Sequence, residues 1–293
     1  MTDVVQAPIP MPRMAWLARL KGAPVIPLVI LGTVVFCAVA GGFVAPFDPN
    51  DADLDAAFQP PFWAKEGSWS HPLGTDNLGR DILSRIIAGC RVSVIVSLYA
   101  IAFSGAIGAL VGMISGYFGG RVDQVIMRLV EIQMSIPSIA LALLLAAALQ
   151  PGLGTVVVVI VFTYWTWYAR IIRGEILSLK TRDYVAFARV AGVSTPVILL
   201  RHLLPNIMNT LLVLATLQVG QVIIFEASLS FLGLGIQQPD VSWGLMLSDA
   251  RQYISNAWWA ITMPGIAIML TCLAANLFGD WLRDRLDPRL RQM

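Results

Sequence analysis

The stretch DYVAFARVAGVSTPVILLRHLLPN, residues 183–206, decides the fold, because it is the longest mixed polar segment inside a very apolar chain. Asp183 predicts a cap for a short helix from about Tyr184 to Ala191, and Gly192 suits the left-handed position that ends one. Thr195 followed by Pro196 reads as N-cap and first residue of a second helix, which runs towards Leu204 and is expected to be disrupted at Pro205. At ~1.5 Å per residue the first helix is about 12 Å long, far short of a ~30 Å hydrocarbon core, so it lies outside the bilayer. A helix that short is marginal in water by itself. Tyr184 and Phe187 stand one turn apart on it and present an aromatic face that needs a cover. Two covers satisfy the physics. One is the membrane surface or neighbouring helices of the same chain, and the other is a separate protein. A DNA-reading helix-turn-helix is disfavoured, because apolar spans hem the stretch in on both sides.

Composition supports a membrane setting. The 293 residues are 57% hydrophobic and only 13% charged, with a mean hydropathy of +0.73. Globular proteins carry about a quarter charged residues. A net charge of +2 argues against nucleic acid as a partner. Cys37, Cys90 and Cys272 form no CxxC pair and read as small packing residues, and with His71 and His202 as the only histidines no metal site is expected.

Working outward, six apolar runs read as membrane spans, the first amply long enough to cross: residues 25–47, 92–118, 132–149, 154–169, 207–225 and 258–278. The first also resembles a leader with a cleavage site at Ala38-Val39-Ala40, although it would be unusually long for one. The expected organisation is a tail at 1–24, a first transmembrane helix at 25–47, an external loop at 48–91, a five-helix core at 92–280 and a tail at 281–293. A cytoplasmic loop at 170–206 lies within that core. Gly108, Gly112 and Gly116, four apart, predict close helix packing rather than pore lining. Pro137 interrupts the third span, and Tyr164, Trp165, Trp167 and Tyr168 crowd the end of the fourth as an expected interfacial belt. In the fifth span Gln218, Gln221 and Glu226 are candidates for a translocation path, with pairing of Glu226 to an external arginine such as Arg251 as the alternative. With both termini in the cytoplasm, fifteen of the twenty Lys and Arg residues fall inside and five outside, as the positive-inside bias requires of six spans.

Catalytic chemistry is missing. No lysine follows a glycine, so there is no P-loop, and GxSxG, HExxH and a spaced carboxylate pair are absent. Glu131 and Glu226 are too peripheral to couple ions in a secondary transporter, and the clean spans offer nothing to an intramembrane enzyme.

Three strings carry a resemblance. HPLGTDNLGRDILSRI (71–86), EASLSFLGLGIQQPDVSWGLML (226–247) and the tail GDWLRDRLDPRLRQM (279–293) closely resemble the dipeptide, oligopeptide and nickel permeases of bacterial ABC importers. Arg189, Gly192, Leu204 and Pro205 match the cytoplasmic loop signature of those permeases. Its leading Glu-Ala-Ala falls on Ala186, Phe187 and Ala188, so no glutamate stands there. The resemblance implies an all-α membrane protein of six transmembrane helices with the type I ABC importer permease fold, in a bacterial inner membrane. It also implies a second homologous permease subunit, two ABC ATPase subunits that carry ATP and Mg, and an extracytoplasmic solute-binding protein. No cofactor is expected in this chain. The loop would supply a coupling helix that docks on an ATPase through Tyr184, Val185, Ala186, Phe187, Ala188 and Arg189, with Gly192 the turn behind it and Pro205 setting the angle of re-entry.

Overall fold

Glycine, proline and short polar caps set where each helix begins and ends. A computed structural model describes residues 24–286, and residues 1–23 of the expected N-terminal tail and residues 287–293 of the C-terminal tail lie outside it. Helix α1 (Val25–Val44) follows Pro24. Helix α2 (Ile82–Phe118) starts where the Asp81 carboxylate accepts a hydrogen bond from Ser84 N. Helices α3 (Gly120–Ser135) and α4 (Ser138–Ala148) are separated at Ile136 and Pro137, and their axes bend by 90°. Helix α5 is Leu153–Leu179, α6 is Asp183–Val190 and α7 is Thr195–Phe231. Helix α8 (Trp243–Ala250) is capped by the Ser242 hydroxyl, and α9 is Trp258–Leu286. No strand occurs among the described residues beyond an isolated bridge between Thr75 and Asp81. The protein is an all-helical membrane protein.

Helices α1, α2, α5, α7 and α9 are long and apolar enough to cross a membrane, and the count is six when the bent α3–α4 pair is taken as one span. Several elements depart from the sequence expectation. The third span is not one helix, and the eleven residues of α4, about 16 Å, cannot cross the core alone. Helix α2 starts ten residues before Val92, so the loop expected to reach Arg91 ends at Asp81. Helix α5 continues to Leu179, well past Ala169, and α9 continues to Leu286, into the expected tail at 281–293.

Pro205 does not stop its helix. Residues Ile198–Leu203 adopt π-helical bonding, and Leu204 N donates to Leu199 O, five residues back. The wider turn leaves room for the pyrrolidine ring, and Asn206 Nδ2 donates to His202 O at 2.6 Å. The fifth span therefore begins at Thr195 and not after Pro205.

The core is built on α2 against α5. A Cβ at Gly108 would overlap Trp165 O and Tyr168 Cβ, and one at Gly112 would overlap Ala169 O and sit 3.0 Å from Ile172 Cβ. At Gly116 it would lie 2.9 Å from Ile176 Cβ. The glycine stripe is a backbone-to-backbone seam, as its spacing predicts. The seam also explains the aromatic cluster. Tyr164 and Tyr168 are buried one turn apart on the seam side of α5, and Tyr164 meets Phe225 of α7 edge-on at 5.4 Å. Trp167 is exposed. The interfacial belt expected at 164–168 is corrected for the two tyrosines, because α5 runs on past them and places them in its middle.

Gly112→Val inserts an isopropyl group into a space already closed by Ala169 and Ile172. It is expected to destabilise the detergent-solubilised protein by about 1–3 kcal/mol, read as a lower denaturation midpoint. Gly32→Val, where nothing lies within 4 Å, serves as the neutral control.

Candidate functional site

Helix α6 is held by one face and bare on the other. Asp183 is its first residue rather than its cap, with Arg182 in the cap position, so the carboxylate sits in the first turn where the helix dipole favours it. The C-terminus closes as a Schellman turn. Val193 N donates to Ala188 O, Gly192 N donates to Arg189 O, each at 3.0 Å, and Gly192 takes φ +73°. Val185 is fully buried and Ala188 nearly so, packed with Ala109 and Met113 of α2, Ile172 and Ile176 of α5, and Leu199 and Leu203 of α7. These two residues, expected to meet a partner, are turned into the chain's own core. Packing there resolves what makes an eight-residue helix stable.

The opposite face is open. Phe187 is 72% exposed and Val190 88% exposed, with Tyr184 and Ala186 exposed beside them. Arg189 does not extend freely from that face. Its Nε donates to Tyr117 Oη at 3.3 Å, and its guanidinium stacks over the Tyr117 ring at 4.8 Å, tying α6 to the end of α2.

Beneath α6 lies a clamp that sequence reasoning missed. Arg173 of α5 donates from Nε and Nη2 to the two oxygens of Asp123 on α3, at 2.5 and 2.6 Å. Ser115 Oγ of α2 donates to the same carboxylate at 2.5 Å, and Lys180 Nζ donates to Gly116 O at 2.7 Å. A fork-on-carboxylate pair fixes orientation as well as distance. Asp123 and Arg173 are fifty residues apart, and nothing in a single sequence pairs them.

The path candidates do not share one face of α7. Gln221 is exposed, and Gln218 is half-buried with an Oε1 that accepts no hydrogen bond. Glu226 is only 1% exposed. Its Oε1 accepts from Ser230 Oγ at 2.7 Å, and that hydroxyl accepts from Ile236 N at 3.0 Å. Pairing with Arg251 is not observed, since Arg251 is exposed and Glu226 faces the core. Glu226 instead fastens the turn after α7 back onto the helix.

The string at 71–86 forms a buried polar knot at the other end of the bundle. Asp81 accepts from Ser84 N at 2.8 Å and lies 3.0 Å from His71 Nδ1. Asp76 accepts from Arg80 Nε at 2.7 Å, and Arg80 Nη2 reaches Asp249 in the last turn of α8 at 3.2 Å. Trp259 of α9 donates to Thr75 O at 3.0 Å, and Trp243 of α8 donates to Ile86 O at 3.0 Å. The three-way join of loop, α8 and α9 explains why this string is so heavily punctuated.

Comparison with known proteins agrees with this architecture. The model of a family described as binding-protein-dependent transport system inner membrane component matches residues 108–292. The chain is 42% identical over 264 residues to a di/tripeptide transport system permease protein of Pseudomonas aeruginosa, covering 90% of this chain and 87% of that protein. It is 42% identical over 293 residues to a dipeptide transport system permease protein of Escherichia coli K12, covering 99% and 97%. A probable D,D-dipeptide transport system permease protein of the same strain is 39% identical over 279 residues, covering 94% and 91%.

The two faces of α6 predict opposite outcomes in the isolated, detergent-solubilised chain. Val185→Asp buries an unpaired charge and is expected to cost several kcal/mol, read as faster proteolysis between residues 180 and 194. Phe187→Ala is expected to stay within about 0.5 kcal/mol of the parent, because its ring covers little.

Proposed function

The chain belongs to the family of binding-protein-dependent transport system inner membrane components, and from that premise we propose that α6 is where an ATPase subunit pushes on this permease. The protein is a multi-pass inner membrane permease subunit of a peptide-class ABC importer. On our reading its solutes are di- or oligopeptides, the solute class of the relatives' names. It works with a second homologous permease subunit or another copy of itself, two ABC ATPase subunits that hold ATP and Mg, and an extracytoplasmic binding protein that delivers the solute. On this reading ATP and Mg are held by the ATPase subunits, since this sequence has no P-loop lysine.

The observation that carries the docking reading is the asymmetry of α6. A short helix is bolted to α2, α5 and α7 through Val185 and Ala188, yet leaves Tyr184, Phe187 and Val190 uncovered. An exposed aromatic knob on a rigid mount suits a cleft in a partner, because a push on it moves three spans and is not lost in loop motion. Helix α6 and both termini then face the cytoplasm, as the distribution of fifteen basic residues inside and five outside supports. Closure of the ATPases would drive alternating access through α5 and α7.

Phe187→Asp is the direct test, made in the assembled complex. Co-purification of the ATPase subunits and ATP-driven uptake are each expected to fall about tenfold or more, as loss of a central aromatic anchor does at other interfaces. Uptake at the parental rate would refute the docking role. A thiol introduced by Phe187→Cys is expected to resist impermeant reagents added outside intact cells, and labelling from outside would reverse the proposed orientation.

A further inference from the structure

A polar cavity of about 450 Å³ lies where α5, α7 and α9 meet at the end of the bundle that carries α6. Glu175 of α5, Asn206, Asn209 and Thr210 of α7, and Arg283 of α9 line it, with leucines and Val213 as the apolar wall. Its volume falls within the range of small-molecule sites, roughly 300–1,000 Å³, and exceeds what one or two waters need. Asn206, Asn209 and Thr210 are spaced i, i+3 and i+4, so one stripe of a largely apolar helix has been made polar. Lipid tails cannot satisfy such side chains, which in membrane helices turn towards water or protein. Glu175 Oε2 is enclosed and accepts no hydrogen bond from the protein.

We infer that this cavity is a station on the solute path, and that it takes a peptide with free ends. Glu175 receives the α-ammonium group, Arg283 faces the α-carboxylate, and the Asn206 and Asn209 amides with the Thr210 hydroxyl answer the peptide bond. A peptide with free ends is a zwitterion, and one carboxylate, one guanidinium and neutral amides around a single space complement it. A purely anionic or purely cationic solute would leave one of the two charges opposed. The inference rests on the importer reading above, and neither Gln221 nor the buried Glu226 lines this cavity.

The test uses the full complex of both permeases, ATPases and binding protein in proteoliposomes, with Ala-Ala as the solute. Glu175→Gln keeps shape and removes charge. It is expected to lower the Ala-Ala uptake rate about tenfold, while ATP hydrolysis stimulated by the binding protein persists. Asn209→Cys is expected to react with a sulfonated methanethiosulfonate reagent from the ATPase side, about tenfold more slowly when ATP and vanadate hold the ATPases closed. The parent chain controls for its own cysteines. Parental uptake by E175Q, or an N209C thiol equally inert in both states, overturns the inference. So does loss of the partner permease from E175Q preparations, which would assign the cavity to a subunit contact. If the parent complex itself moves no Ala-Ala, the importer reading falls and takes this inference with it, whereas a transporting parent with unaffected variants removes the inference alone.

Discussion

The close approach of α2 and α5 is the constraint on which the rest of the structure depends. Three glycines let the two backbones meet along about two and a half turns, with Tyr168, Ile172 and Ile176 of α5 seated where side chains on α2 would otherwise stand. In lipid no hydrophobic driving force holds helices together, so packing area and polar ties must do it. The seam supplies the area. At one end, Ser115, Asp123, Arg173 and Lys180 supply the ties, and α6 rests on the platform so formed. The mount of α6 therefore inherits its rigidity from the seam, whose Ile172 and Ile176 pack in one cluster with Val185 and Ala188. Loosening the seam would blunt any force delivered at α6, even with every exposed residue in place.

A second fixed point sits at the opposite end, where the loop at 45–81 is stitched to α8 and α9. Here the ties are buried ionic and backbone hydrogen bonds: Asp76 with Arg80, Arg80 with Asp249, and Trp259 with Thr75. Buried charges of this kind are costly unless each has its partner, so the knot holds one arrangement or fails altogether. The two ends of the bundle are thus pinned by different chemistry. One end uses a glycine seam and a clamp, and the other a polar knot with two tryptophan donors.

Much of this was legible in the residues. Six apolar runs, the short helix ended by Gly192 and the glycine seam follow from length, punctuation and a spacing of four. What escaped has physical reasons. Pro205 reads as a breaker because local sequence does not reveal that a π turn at 198–203 will absorb it. The inward turn of Val185, Ala188, Tyr164 and Tyr168 depends on which neighbour each helix meets, and that information sits in other helices rather than in the stretch itself. Glu226 looks like a membrane-edge charge in one dimension. In three it is a bolt that holds the backbone at Ile236 through Ser230. Proline at 137 was visible as an interruption, but the right angle it makes was not.

One dimension of α7 has its own consequence. Its 37 residues amount to about 55 Å of helix in a hydrocarbon layer of ~30 Å, so the rod overhangs the bilayer. A rod longer than the slab that grips it behaves as a see-saw. A tilt of about 10° about the midplane swings its two tips by roughly 5 Å in opposite senses. One tip carries the seat of α6, and the other carries the Glu226 bolt and the turn to Ile236. A single rotation of this helix would therefore move the seat of α6 and the Glu226 turn together, in opposite senses.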